Sequence, residues 1–182
     1  MKFTPKTEAE LAEIVAGLQA PVKLQGGGTR AIGHSIAQDV LDMSGISGVV
    51  DYEPGALTLV AKAGTPIAEI EALLAAEKQR LSFEPMDHRT LLGTQGAPTI
   101  GGAVAANVSG PRRISVGACR DFALGVRFVD GMGRALKNGG RVMKNVTGYD
   151  MSKLLSGSWG TLSIVTELSF KVLPAPLISH TA

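Results

Sequence analysis

The sequence predicts a mixed α+β fold in two interlocked lobes that share one core. Helix and strand patterns intermix without the regular strand-helix-strand order of a doubly wound sheet. No linker rich in Gly, Ser or Pro separates independent domains. The 182 residues, 45% of them hydrophobic, are enough to bury a core. We therefore expect residues 1–182 to fold as one domain.

The N-terminal half predicts two helices and four short strands. Thr7 and Glu10 form a capping box ahead of an amphipathic helix that ends between Gly17 and Pro21. Thr65 is expected to cap the second helix, whose first position is Pro66. Strands are predicted at 22–24, 40–43, 49–52 and 57–63, the last two joined by a hairpin turn at 53–55.

The C-terminal half begins with a segment rich in small residues, from Leu92 to Gly117, which suits backbone packed closely on a flat partner. A second hairpin is predicted, with strands at 122–129 and 134–137 around a turn at 130–133, and a final strand covers 164–172. Asp150 favours the cap of a helix that follows it.

Charge, cysteine content and hydropathy exclude several functional classes. The formal net charge of +2 comes from 18 basic and 16 acidic residues spread along the chain, so nucleic-acid binding is not expected. Cys119 is the one cysteine, and with three scattered histidines it excludes a Cys/His metal cluster. No secretory signal or bilayer-length apolar run is present, so we expect a cytoplasmic protein without direct membrane insertion.

The loop from Gln25 to Thr29 is the first candidate site. Its three consecutive glycines follow a strand, leave their backbone N–H groups unobstructed and can adopt positive φ, so the loop could wrap an anion. Thr29 adds a hydroxyl donor. The glycines alone leave two interpretations open, an anion site or a turn without a ligand.

Two nucleotide-binding patterns fit this loop poorly. Gly26, Gly28 and Ala31 match the G-x-G-x-x-A pattern of nicotinamide-binding Rossmann folds, but residues 32–35 do not begin an amphipathic helix that could hold a pyrophosphate. The P-loop of nucleotide triphosphatases is excluded, because no Gly-Lys-Ser/Thr follows at the required spacing.

Ordered motifs over nearly the whole chain resemble the FAD-binding domain of the vanillyl-alcohol-oxidase (PCMH-type) superfamily. Several motifs in one order are far more specific than any one of them. The motifs are residues 21–29 with Gly33, 83–85, 99–102, Asn107, 109–110, Gly117, Asp121, 144–150 and 160–162. Residues 109–113, 142–150 and 171–174 are most similar to the FAD-binding E subunits of bacterial glycolate oxidases.

The resemblance implies a two-subdomain fold with mixed sheets flanked by helices around an extended FAD. It implies pyrophosphate contacts at Gln25, Gly26, Gly27, Gly28, Thr29, Gly33 and His34, flavin contacts at Gly101, Gly102, Ser109 and Gly117, and adenine contacts at Ile164 and Val165. Two departures predict weaker binding: Gln25 stands where many relatives have arginine, and Ser163 replaces a glycine. The FAD is expected to be non-covalent, because no histidine directly follows the loop glycines.

The resemblance further implies that the FAD accepts a hydride from the α-carbon of a 2-hydroxy acid, with glycolate the leading substrate. It also implies companion subunits that carry a second flavin and iron–sulfur clusters at the membrane. We expect the substrate domain to be absent from residues 1–182, and we assign no catalytic residue. The alternative is a non-catalytic FAD-binding or assembly module of a larger complex.

Four further side chains have ordinary structural interpretations. Trp159 is expected to pack rather than to stack on a cofactor, and Cys119 is expected to be a buried, unreactive side chain. Arg112 and Arg113 have two interpretations of equal weight: they steer an anion or a partner subunit, or they form a solvated basic pair.

Overall fold

The computed structural model describes residues 1–142 and 148–177. Within them it has seven helices and ten strands, which confirms the α+β prediction. The helices are α1 Glu8–Gly17, α2 Ile67–Ala76, α3 Arg89–Leu92, α4 Ile100–Ala105, α5 Arg113–Val116, α6 Cys119–Phe122 and α7 Met151–Leu155. The strands are β1 Lys2–Phe3, β2 Val22–Gln25, β3 Asp39–Asp42, β4 Val49–Glu53, β5 Thr58–Lys62, β6 Gln79–Arg80, β7 Ala123–Val129, β8 Ala135–Gly139, β9 Ile164–Lys171 and β10 Leu173–Pro174.

The larger sheet has five antiparallel strands in the order β4-β5-β9-β7-β8. Both predicted hairpins are confirmed as β4–β5 and β7–β8. Apolar side chains of these strands and of α2 and α4 form the main core. Phe83 lies at its centre, with ring centroids 5.6 Å from Phe122 and 6.1 Å from Phe170. This core fixes α4 against the sheet.

The smaller sheet has three parallel strands in the order β1-β3-β2. Leu11 and Val15 of α1 pack with Leu41 of β3 and Val129 of β7 in a second core. The register pairs Gln25, the last residue of β2, with Asp42. The parallel sheet therefore delivers its edge strand directly into the glycine loop.

One ion pair joins α1 to the larger sheet. The Glu8 carboxylate accepts hydrogen bonds from Arg127 Nη2 at 2.7 Å and Nε at 3.0 Å, and from Thr166 Oγ1 at 2.8 Å. The hydrogen bond from Arg127 lowers the pKa of Glu8 below its usual value, against the opposing effect of burial. These contacts of Glu8 hold α1, which packs on the smaller sheet, against strands β7 and β9 of the larger sheet.

The two predicted helix caps have different outcomes. Thr7 caps α1 as expected, accepting the N–H of Glu10 at 3.1 Å, while the Glu10 carboxylate accepts the N–H of Lys6 at 2.6 Å. The prediction for Thr65 was wrong, because α2 begins without a side-chain cap. The buried Thr65 hydroxyl instead lies 2.7 Å from the Lys62 carbonyl oxygen and accepts the N–H of Gly48.

The last helix, α7, begins with the side-chain cap that the sequence predicts. Asp150 accepts the N–H of Lys153 at the start of α7, as predicted. The other part of its motif, residues 143–147, lies outside the described residues, as does 178–182. No helix in the described ranges is long and apolar enough to cross a bilayer.

Candidate functional site

A cavity of about 160 Å³ lies where β2, α4 and the segment before β9 meet. Sites that enclose a whole small molecule are usually larger, about 300–1,000 Å³, so this cavity suits one part of an extended ligand. It is lined by Lys23, Leu24, Gln25, Gly26, Gly27, Gly28, Thr29, Arg30, Ala31, Met43, Ala63, Thr99, Gly101, Gly102, Ala105, Ser158, Trp159, Gly160, Ser163 and Val165.

The first wall is the loop after β2, which no helix follows, so the Rossmann interpretation does not fit. The backbone N–H groups of residues 27–31 donate no hydrogen bond to another residue of the described chain. Gly28 has φ +69°, a left-handed conformation that glycine adopts without strain. Consecutive free N–H groups around such a turn form an anion-binding concavity.

Close contact with the neighbouring loop explains two of the three glycines. A Cβ atom on Gly27 would lie 1.6 Å from the Ala97 carbonyl oxygen, and one on Gly26 would lie 2.6 Å from Thr99 Oγ1. Thr94 Oγ1 also donates to the Thr29 carbonyl at 2.9 Å. Gly26 and Gly27 are therefore needed to seat the loop against residues 94–99, with its N–H groups left free.

Two cations, Lys23 and Arg30, line the cavity, and no Asp or Glu is among its described lining residues. The half-buried Arg30 guanidinium lies 3.2 Å from His88 Nδ1 through Nε and donates to the Met86 carbonyl through Nη2 at 3.3 Å. Burial lowers the pKa of Arg30 from its usual value, while nearby Asp87 raises it. Arginine remains charged under such conditions, so the cavity is cationic.

These two cations were missed by the reasoning from sequence. Glutamine in place of arginine at position 25 predicts one cation fewer near the phosphates, yet Arg30 lies five residues further along the same loop. The alternation of β2 offered a signal, because Lys23 and Gln25 lie on the same face of the strand.

The second wall is α4, where Gly101 and Gly102 present bare backbone. Their N–H groups are already used: Gly101 donates to the Ala63 carbonyl at 2.8 Å, and Gly102 donates to Thr99 Oγ1 at 3.3 Å. A Cβ atom on Gly101 would lie 2.7 Å from both the Cβ and the carbonyl oxygen of Ala63. These glycines therefore contribute surface and close packing rather than donors.

The third wall runs from Ser158 to Val165. Trp159 lines the cavity, is 50% exposed and has φ +55°. Ser163 is 6% exposed, and its hydroxyl has no hydrogen-bond partner among the described residues. A buried polar atom without a partner costs stability, so this hydroxyl is a candidate contact for a ligand.

Five of the predicted cofactor residues lie away from this cavity lining. Gly33 and His34 lie in the exposed chain beyond Ala31, and Ile164 packs on the second core. Ser109 accepts the N–H of Cys119 at 2.8 Å, and Gly117, at φ +101°, lies against Asp121. Cofactor contacts at these five positions stay predictions.

Cys119 is fully buried, as expected. Burial raises the pKa of its thiol to about 12, so the reactive thiolate does not form near neutral pH. No histidine or cysteine is among the described residues that line the cavity. Non-covalent attachment of the FAD stays a prediction.

A family model of the FAD binding domain matches residues 1–139. The chain belongs to this family. The match covers the loop after β2, the α4 glycines and both cations of the cavity. The resemblance drawn from the ordered motifs is thereby confirmed, and so is FAD as the cofactor.

Two longer curated relatives of this chain are glycolate oxidase subunits. The chain is 43% identical over 162 residues to the glycolate oxidase subunit GlcE of Escherichia coli, covering 88% of this chain and 45% of that protein. It is 28% identical over 180 residues to the glycolate oxidase subunit GlcD of Bacillus subtilis, covering 96% of this chain and 37% of that protein. The chain thus spans less than half the length of either relative.

Among solved structures, alkyldihydroxyacetonephosphate synthase superposes with a TM-score of 0.78 at 23% identity, covering 97% of this chain and 32% of that one. This similarity supports the fold. The cavity itself fits an FAD pyrophosphate, because it combines free backbone N–H groups with two cations and has no carboxylate among its described lining residues.

Proposed function

We propose that this FAD binding domain is part of a 2-hydroxy-acid oxidoreductase, with glycolate as the leading substrate. The observation that carries the proposal is the row of N–H groups at residues 27–31, which donate to no other described residue, flanked by Lys23 and Arg30 at a site that suits the FAD pyrophosphate. The 43% identity to a glycolate oxidase subunit supports the choice of substrate class. When bound, FAD supplies the acceptor for the hydride that leaves the α-carbon.

The residues of the chain divide by the part of FAD they would hold. Gln25, Gly26, Gly27, Gly28 and Thr29, with Lys23 and Arg30, would hold the pyrophosphate, and Gly33 and His34 would extend this contact. Gly101, Gly102, Ser109 and Gly117 would contact the flavin side, and Ile164 and Val165 would contact the adenine side. The protein's own contribution is to bind and orient the cofactor and to balance its charge.

We propose that the substrate-binding residues lie outside residues 1–182, on the same polypeptide or on a companion subunit. The chain spans 45% and 37% of two relatives that are named as glycolate oxidase subunits. Companion subunits with a second flavin and iron–sulfur clusters belong to the same proposal. The proposed location is the cytoplasm, with any attachment to a membrane made through those partners.

An absorption spectrum of the purified chain is the first test. A yellow protein with flavin bands, or a colourless one that gains them on incubation with FAD, is the expected result. A colourless protein that binds NAD(H) and not FAD would contradict the proposal. Acid precipitation then tests the mode of attachment, since non-covalent FAD stays in the supernatant.

Reduction of the bound flavin tests the substrate. Under anaerobic conditions, glycolate is expected to bleach the flavin absorbance once the companion subunits are present, and D-lactate and D-2-hydroxyglutarate serve as comparison substrates. If none of these acids bleaches the flavin bands of the complete complex, the protein is not a 2-hydroxy-acid oxidoreductase.

One observation favours the alternative of a non-catalytic FAD-binding or assembly module. The chain spans 45% and 37% of two glycolate oxidase subunits, and we assign none of its described residues to take the proton of a substrate hydroxyl. A complex that keeps its activity when FAD binding by this chain is abolished would favour the module.

A further inference from the structure

Trp159 stands in the third wall of the cavity, in a segment tied to the end of α4. The backbone N–H of Trp159 donates to the Ala105 carbonyl at 2.8 Å, and the backbone N–H of Gly157 donates to the Val104 carbonyl at 3.0 Å. The segment also touches β2, because a Cβ atom on Gly160 would lie 2.3 Å from Leu24 Cδ2. The backbone beneath the indole is thus held from two sides.

The backbone conformation of Trp159 is one that glycine adopts far more readily. Its φ is +55°, between Gly157 at +88° and Gly160 at +75°. A bulky residue in the left-handed region is strained, and such strain clusters at ligand sites. Glycine would relieve it. The ring is half exposed and therefore recovers little of that cost through core packing.

Two other features suit a ligand beside this indole. The Ser163 hydroxyl in the same wall is buried without a hydrogen-bond partner among the described residues. The cationic loop with its free N–H groups forms the adjoining wall, so an anionic group bound there would carry its neighbouring group past Trp159.

The position of Trp159 along the cavity indicates which end of FAD would lie beside it. Segment 158–160 contacts Leu24, where the loop begins, and Ala105. Arg30, at the other end of the loop, contacts Met86 and His88. Gly110, next to the predicted flavin contact Ser109, donates to the Phe83 carbonyl, on that same side. Trp159 therefore lies at the start of the loop, away from Arg30, and in the same wall as Val165, the predicted adenine contact.

We propose that Trp159 binds the adenine of FAD by stacking and is a specificity-determining residue for FAD over FMN. This inference rests on the proposed function, since it requires that FAD occupies the cavity. Flat aromatic bases stack on indoles with little dependence on their hydrogen-bonding groups. The contact therefore selects for FAD, which carries an adenine, over FMN, which does not.

The chain has one tryptophan, so its fluorescence reports on this position alone. We would titrate the 182-residue chain with ADP, because a flavin absorbs at the emission wavelengths of tryptophan and would quench from a distance. The expected result is saturable quenching by ADP. An unchanged emission at ADP concentrations shown to saturate the protein by dialysis would overturn the proposal.

Variants separate stacking from bulk. We expect W159F to bind FAD and ADP within about threefold of the parent, and W159L to bind both about tenfold more weakly, with FMN affinity unchanged. L162A is the matched control, since Leu162 is also half exposed in the same segment but does not line the cavity. It is expected to bind like the parent.

The outcomes distinguish this inference from the proposed function. If the chain binds FAD and W159L binds it as tightly as the parent, the inference is wrong and the proposed function stands. If W159L weakens FMN and not ADP, Trp159 stacks on the flavin and the adenine assignment is wrong. If the parent binds no FAD at all, both fail.

Discussion

The glycines after β2 and the glycines of α4 face the same cavity and serve it in different ways. In the loop, the N–H groups of residues 27–31 donate to no other residue of the described ranges, and the missing side chains let the loop rest against residues 96–99. In α4, the N–H groups of Gly101 and Gly102 are used within the protein. One set offers donors to a ligand, and the other offers a flat surface.

The role of a glycine motif therefore depends on whether its backbone N–H groups already have hydrogen-bond partners. Both segments match an FAD-binding family, yet only the loop can supply hydrogen bonds to a pyrophosphate without first breaking its own. Loop variants should therefore change ligand affinity, and α4 variants should change stability first. Gly27 is the exception, because it holds the two segments together.

The largest effect is expected for Gly27→Ala. Its Cβ would lie 1.6 Å from the Ala97 carbonyl oxygen, so the two loops must separate. We expect a loss of about 3 kcal/mol in the free energy of unfolding, measured in urea, and no detectable FAD binding. G17A is the control: an added Cβ meets nothing within 4 Å there, and stability should not fall. Equal stability of G27A and the parent would contradict this contact.

Gly101→Ala should act on stability. The new Cβ meets Ala63 at 2.7 Å, and we expect a loss of about 2 kcal/mol in the free energy of unfolding. The double variant G101A/A63G removes one of the two close contacts and should recover part of that loss in the same urea titration. A G101A protein that keeps full stability but loses FAD affinity would reverse the distinction between the two glycine sets.

Arg30→Gln should act on affinity. Removing the cation from the wall of free N–H groups is expected to weaken FAD binding about tenfold and to reduce the dependence of Kd on salt. R134Q is the control, because Arg134 is exposed and pairs with Asp130 away from the cavity. An R30Q protein with parental Kd and parental salt dependence would show that Arg30 does not hold the pyrophosphate.

Trp159→Gly should have the smallest effect on stability, and in the opposite direction. Glycine relieves the strained φ of +55°, so we expect a gain of about 1 kcal/mol in the free energy of unfolding, while FAD affinity falls. Thermal unfolding without ligand measures the first quantity and dialysis with FAD the second. A destabilised W159G would mean that the indole contributes to packing more than its exposure indicates.

Local signals predicted the elements that depend on neighbours in sequence. Both hairpins, the Thr7 cap and the Asp150 cap were predicted because turn and capping chemistry acts over a few residues. Thr65 matched a capping pattern just as well. It failed because Gly48, 17 residues away, provides a hydrogen bond that no local pattern contains.

The sequence motifs predicted where the candidate site lies. They did not predict its two cations or the strained backbone of Trp159. The glycines at 26–28 and 101–102 were located from their order along the chain. Whether Lys23 and Arg30 face the cavity depends on how β2 pairs with β3, and the left-handed backbone of Trp159 depends on its tie to α4. Both are tertiary properties that residue types do not encode singly.

Strand β9 lies in the middle of the larger sheet, yet it is the last of the five along the chain. On the ribosome, both hairpins emerge before the strand that joins them, and each then has an unpaired edge facing its missing neighbour. We expect the nascent chain to be open to wrong pairing until β9 is made. Since Val165 of β9 completes the cavity wall, the site for the cofactor should form only after β9 has been synthesised.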